Sequence, residues 1–138
     1  MSAVQGACHC GAVRFSVVLS EGPGAGERCN CSFCAMRGAV AVTARRDGLT
    51  LLAGADNLTL YQFNTRAAEH YFCKTCGIYT HHRRRSNPDE LGVNLACLEG
   101  QTPFLPVVPV NDGQRHATDT GVERRAGVLR FIPEDETP

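Results

Sequence analysis

At 138 residues the chain has the length of one ordinary domain, enough to bury about two thirds of the surface it exposes when unfolded. A composition of 43% apolar and 20% charged residues is that of a globular protein and suggests neither disorder nor a membrane class. Fourteen basic residues balance fourteen acidic ones, and a formal charge of zero argues against a nucleic-acid partner or an anionic membrane surface. The start has no charged segment leading into an apolar stretch, and no run approaches the roughly 18 apolar residues of a spanning helix. The expectation is a cytoplasmic protein with one domain over 1–138. In a reducing compartment its eight cysteines serve metals or catalysis better than disulfides.

In chain order, Cys8-His9-Cys10-Gly11 comes first, and in an extended strand the two sulfurs of residues two apart point the same way. Val13, Phe15, Val17 and Leu19 then alternate, which predicts a half-buried strand over 12–19. The glycine-rich stretch from Glu21 to Gly26 is a loop that delivers the chain to Cys29-Asn30-Cys31-Ser32-Phe33-Cys34. Further strands are predicted over 38–44, 49–52 and 58–63, paired antiparallel through tight turns at Asp47-Gly48 and Gly54 to Asn57. Cys73-Lys74-Thr75-Cys76-Gly77 has the form of a zinc knuckle, with Gly77 free to turn left-handed after the second thiol. Strands are expected over 78–82, 91–98 and 128–132, the last before an acidic end at Glu134-Asp135-Glu136. No helical stretch stands out, so the fold class is mostly β.

Cys29, Cys31 and Cys34 place three thiols within about one turn of backbone, where a single ion could collect them all. Zinc suits such a cluster best, and three local ligands leave one tetrahedral position. Substrate or water entering there makes the site catalytic, whereas a distant side chain makes it structural. Cys8 and Cys10 form an incomplete pair, as do Cys73 and Cys76, and joining them closes a four-cysteine site. In another partition Cys29 and Cys31 meet the knuckle instead. Cys97 is left over, a core residue in the favoured reading and a fourth ligand to the Cys29 cluster in the other. His81 and His82, as neighbours in a strand, face opposite ways and cannot serve one site together. Arg83, Arg84 and Arg85 lie in a turn with Pro88, a solvated loop unless a small acidic ligand is read there. Arg28 and Arg37 flank the thiol cluster and are the first cations available to it.

These stretches, together with Arg85-Ser86-Asn87-Pro88 and Val93-Asn94-Leu95-Ala96-Cys97-Leu98, resemble the glutathione-dependent formaldehyde-activating enzyme (Gfa) family, whose relatives include centromere protein V. The resemblance covers about residues 5–112 and leaves a tail over 113–138. It implies a β-tent, antiparallel sheets leaning together and joined by a structural zinc on Cys8, Cys10, Cys73 and Cys76. It also implies a catalytic zinc on Cys29, Cys31 and Cys34, so two zinc ions per chain. The family's founding activity joins glutathione and formaldehyde into S-hydroxymethylglutathione and is classed as a carbon-sulfur lyase. The leading functional reading is therefore a zinc-dependent enzyme acting on a thiol and a small aldehyde, or on their adduct. A zinc-stabilised binding module without catalysis is the alternative, and a redox role for Cys73 and Cys76 ranks last. Glutathione carries two carboxylates, which guanidinium groups bind bidentately, and Arg85 is the best single candidate to hold one.

Overall fold

The alternation from Val13 to Leu19 becomes the inward face of a strand, with all four apolar side chains buried. The computed structural model describes residues 2–115 and 117–136. Its strands are β1 (Val4–Ala7), β2 (Arg14–Leu19), β3 (Arg28–Cys29), β4 (Ala41–Ala53), β5 (Leu58–Tyr61), β6 (Glu69–Cys73), β7 (Tyr79–Arg83), β8 (Glu90–Asn94), β9 (Val107–Asn111) and β10 (Arg125–Arg130). Two short helices, α1 (Ser32–Arg37) and α2 (Ala117–Thr120), interrupt them. The larger sheet has the order β1-β2-β4-β8-β7-β6-β5, antiparallel throughout. The smaller has the order β10-β9-β3, with β3 and β9 parallel. The fold is mostly β, as its composition and alternation imply. No helix among the described residues is long and apolar enough to cross a membrane.

The two short strands expected over 38–44 and 49–52 are one strand. A two-residue hairpin of the favoured type needs positive φ at both central residues, and neither Asp47 nor Gly48 has it. β4 instead runs through and changes partner. Ala41 to Arg45 pair with β8 and Leu49 to Ala53 pair with β2, the two overlapping at Ala44, which also pairs with Leu19 across a register shift. Gly48 lies where a Cβ would press on the Val18 carbonyl oxygen, so the absence of a side chain lets the strands approach there. The Gly54 turn differs from expectation too, because β4 and β5 do not pair. At Gly54, φ is 82° and a Cβ would collide with the Ala12 carbonyl, so glycine alone fits. The turn thus lies against the start of β2, and the chain continues to the opposite edge of the sheet.

The partner change in β4 lets the sheet fold over its own core. Phe15 and Val17 from β2, Val42 and Ala44 from β4, and Leu91 and Val93 from β8 pack together, and Val108 of β9 joins them from the smaller sheet. β9 escapes sequence reading because Pro106 and Pro109 speak against a strand. It is accommodated because β3 pairs only with Val110 and Asn111, beyond the second proline.

His81 is buried on this inner side, stacked on Tyr71 with ring centroids 4.8 Å apart, and its Nδ1 lies 2.9 Å from the Thr80 hydroxyl. Burial pushes its pKa down to about 4. An imidazole that ionises near 6.5 when unfolded but stays neutral when folded adds stability above that value, and the contribution is lost as pH falls towards 4. It is worth roughly 3 kcal/mol at most. Replacing His81 with Phe is expected to flatten the dependence of urea-unfolding stability on pH between about 6.5 and 4. A variant with the same pH slope as the parent would show that His81 titrates normally.

Candidate metal centres

Cys8 and Cys10 lie in the turn from β1 to β2, and Cys73 and Cys76 lie at the end of β6 and in the turn to β7. Their four sulfurs lie within 4.8 Å of one another. The Cys8–Cys10 and Cys10–Cys73 separations are both 3.7 Å. That is the edge of a tetrahedron whose metal–sulfur bonds are about 2.3 Å, and far beyond a disulfide bond of about 2.05 Å. Polar hydrogens also point at the sulfurs. Val13 N–H donates to Cys8 Sγ at 3.3 Å, while the Asn57 amide and Thr75 N–H donate to Cys73 Sγ at 3.3 and 3.4 Å. N–H groups aimed at sulfur favour the thiolate, the form that binds metal. Hydrogen bonds to backbone N–H, first that of Cys76, hold Cys73 down to about 6. Gly77, at φ 76°, closes the knuckle with its N–H on the Cys73 carbonyl at 2.9 Å. The four thiols could hold one metal ion.

Cys29, Cys31 and Cys34 form the second group, also within 4.8 Å and half-buried. They are not all on a loop. Cys29 ends β3, Cys31 caps the N-terminus of α1, and Cys34 lies in its first turn. Cys31 Sγ accepts from the Cys34 backbone N–H at 3.3 Å, and Cys29 Sγ from that of Cys31 at 3.4 Å. Hydrogen bonds from the neighbouring thiols, first Cys29 and then Cys34, push Cys31 down to about 2. The same bonds push Cys34 up, and the bond to Cys31 raises Cys29. Of the three thiols, Cys31 is the one pushed towards thiolate. Three thiolates offer a metal three ligands and leave one position of a tetrahedron to something else.

Arg37, on the last turn of α1, is the cation beside this cluster. Its Nη2 donates to Cys34 Sγ at 3.5 Å and its Nη1 lies 3.0 Å from Nδ1 of His70. The guanidinium also sits 3.8 Å from the centroid of Tyr79 and 4.8 Å from that of Phe33, so two ring faces attract it. Arg37 Nε is buried without a hydrogen-bond partner. Around it the imidazoles must stay neutral. Burial first, then the Arg37 charge, drives His70 down to about 4 and His82 well below its ordinary value. Phe33 stands between Cys31 and Cys34 in sequence and meets Tyr61, Phe63 and His70 with tilted rings, giving the cluster an aromatic wall.

Other expected residues lie elsewhere. Arg28 brings its guanidinium to Gly38, where a Cβ would meet it at 3.6 Å. Cys97 is half-buried against the main core, its Sγ donating to the Tyr79 carbonyl at 3.5 Å, and burial pushes its thiol up to about 12. It joins neither thiol group, in keeping with the core reading. His81 and His82 face opposite ways, one towards Tyr71 and the other towards His70. Arg85 forms a salt bridge with Asp119 at 2.6 Å. Sequence reading missed His70 and Tyr79, which hold Arg37, and Gly113, which lies beyond the expected family match. A Cβ there would strike Cys29 Sγ and come within 2.9 Å of Cys31 Cβ. Asn30 Oδ1 accepts from Gly113 N–H and Gln114 N–H at 2.8 and 3.2 Å, so the tail is laced onto the cluster. Asn111-Asp112-Gly113 is a turn-forming triplet, but nothing local in it points to the thiols.

The two groups predict different consequences of losing a sulfur. Cys73→Ser removes a buried thiol from a closure between distant strands, and is expected to cost several kcal/mol and the metal with it. Cys31→Ser should remove the other metal and leave most of the stability. Thermal melting with metal analysis of both variants checks this, and equal destabilisation would overturn the division.

Three comparisons place the chain among known proteins. Residues 3–111 match the model of the family described as "Glutathione-dependent formaldehyde-activating enzyme". A protein of Halomonas elongata, named as a candidate glutathione-dependent formaldehyde-activating enzyme, is 41% identical over 81 residues, 53% of this chain and 51% of its own length. The chain thus spans about half the length of the curated relative it matches. A crystal structure of a Rhodobacter sphaeroides protein superposes with a TM-score of 0.70 at 62% identity, covering 72% of this chain and 91% of that one. With the family pattern running from β1 to the end of β9 and including both thiol groups, the chain belongs to the glutathione-dependent formaldehyde-activating enzyme family.

Proposed function

We propose that the chain is a zinc-dependent enzyme of the carbon-sulfur lyase type, joining a thiol to a small aldehyde or splitting their adduct, with glutathione and formaldehyde as first candidates. In this reading Cys8, Cys10, Cys73 and Cys76 hold a structural zinc, and Cys29, Cys31 and Cys34 hold a catalytic one. The observation that carries it is the open triple of thiols with Arg37 Nη2 3.5 Å from Cys34 Sγ. A zinc ion bound there would stabilise a substrate thiol as its thiolate at neutral pH, the form that attacks a carbonyl.

The protein's own residues supply the setting. Three thiolates and a divalent ion sum to minus one, and a substrate thiolate would bring minus two. A half-buried site tolerates that only with a cation close by. Arg37 provides one, clamped by Tyr79, Phe33 and His70 so that it has little freedom to leave. His70 and His82, held neutral, leave its charge undivided. The thiolate sulfur then bonds to the aldehyde carbon, the carbonyl oxygen takes a proton, and a hydroxymethyl thioether results. Reversal breaks the same bond. Arg85 is proposed to bind a glutathione carboxylate, in exchange for the carboxylate of Asp119 that it now holds.

Titration calorimetry on the zinc-loaded protein should register millimolar glutathione, and Arg85→Ala should weaken it about tenfold, the worth of one charge-assisted contact. Turnover of glutathione with formaldehyde, followed by NMR, should vanish in Cys31→Ser. Absence of heat with glutathione would redirect the reading to another thiol, and turnover intact in Cys31→Ser would end it.

A further inference from the structure

We propose that the mouth between the two halves of the folded sheet is a second ligand site, on the face of β6 and β7 opposite the Cys29 triple, and that it takes an aliphatic monocarboxylate.

A cavity of about 330 Å³ opens there, in the range of small-molecule sites. Register separates it from the metal site. On the paired strands β6 and β7, His70 lies opposite His82, and this pair faces Arg37 and Phe33. The alternating pairs Glu69–Arg83 and Tyr71–His81 therefore face the other way, and all four residues line the cavity.

Its walls are graded from apolar to charged. Leu49 and Leu51 of β4, Leu58 and Leu60 of β5, and Leu91 of β8 form the apolar part. Leu58 pairs with Cys73 at the stapled end of the sheet, whereas Glu69 and Arg83 pair at the far end. Arg46 also lines the cavity, and its backbone N–H is bonded to the Asp89 carbonyl, just before β8 begins. A ligand would thus hold its charged head at the mouth and lay its chain inward along the leucines.

The charges select the head. Glu69 is committed on both oxygens, to the Tyr71 hydroxyl at 3.1 Å and to Arg83 Nη2 at 3.4 Å. Arg83 keeps a buried Nε with no partner, and Arg46 makes no salt bridge among the described residues. Among the residues lining the cavity, two guanidinium groups against one carboxylate leave a surplus of one positive charge, which matches a monoanion, while Asp47, Asp89 and Glu90 border the neighbouring hollow that Arg46 shares with Arg45. A carboxylate also fits the planar guanidinium fork. His81, its Nδ1 engaged by Thr80 and its ring kept neutral by burial, can add a hydrogen bond without adding charge.

Octanoate titrated into the metal-loaded full chain, followed by amide NMR, tests the site. Saturable shifts are expected at Tyr71, His81 and Arg83, with acetate at least tenfold weaker and octylammonium without effect. Arg46→Gln should weaken octanoate about tenfold with metal content unchanged. Leu60→Trp, at a position already 46% exposed, should fill the cavity and abolish binding while the protein stays folded. Shifts centred on Phe33 and His70, equal binding of octylammonium, or affinity untouched by both substitutions would overturn the proposal.

Discussion

The closure of Cys8, Cys10, Cys73 and Cys76 is the constraint on which the rest of the structure depends. β2 and β6 are four places apart in the larger sheet, and in a flat sheet four strand spacings of about 4.8 Å would separate them by about 19 Å. Yet their sulfurs meet within 4.8 Å. The sheet must therefore be folded over, and the thirteen-residue β4, paired to β8 along its first part and mainly to β2 along its second, is where it folds. What would be one open sheet with two exposed faces becomes two leaning halves with Phe15, Val17, Val42 and Val93 sealed between them. The tent described for the family is here a single sheet stapled across its own fold.

That geometry also separates two chemistries. The outer side of β6 and β7 carries His70 and His82 beneath Arg37, while the inner side carries Tyr71 and His81 towards the core. Arg37 is the hinge of the outer arrangement because one guanidinium touches a thiol, an imidazole and two aromatic faces at once. Burial lowers both histidines first and the Arg37 charge adds to it, while the same charge lies against the thiol cluster through Cys34. Its unpaired Nε marks a cost of holding it there.

The smaller sheet has a different task. β3 brings Cys29 alongside β9, Asn30 holds the chain after β9, and Gly113 allows that chain to lie directly on the sulfurs. The triple is thus covered by a segment distant in the chain, although its three thiols lie within six residues of one another. A helix start rather than a loop sets its geometry, with Cys31 serving as both the cap of α1 and the centre of the cluster.

The primary sequence by itself determined what is local. Alternation placed β2 and its buried face, the spacing of the thiols marked the triple and the two incomplete pairs, and Gly77 marked the knuckle, because strand period, ligand spacing and left-handed backbone are properties of a few consecutive residues. Adjacent-strand geometry likewise separated His81 from His82. Only the tertiary structure decided which cysteines meet, that β4 runs unbroken through Asp47-Gly48, that a strand passes through Pro109, and that of Arg28 and Arg37 it is Arg37 that donates to a thiol. It also decided that Gly113 belongs to the site. Each of these is set by packing between segments distant in the chain, where a bend in one strand or a missing Cβ counts for more than local propensity.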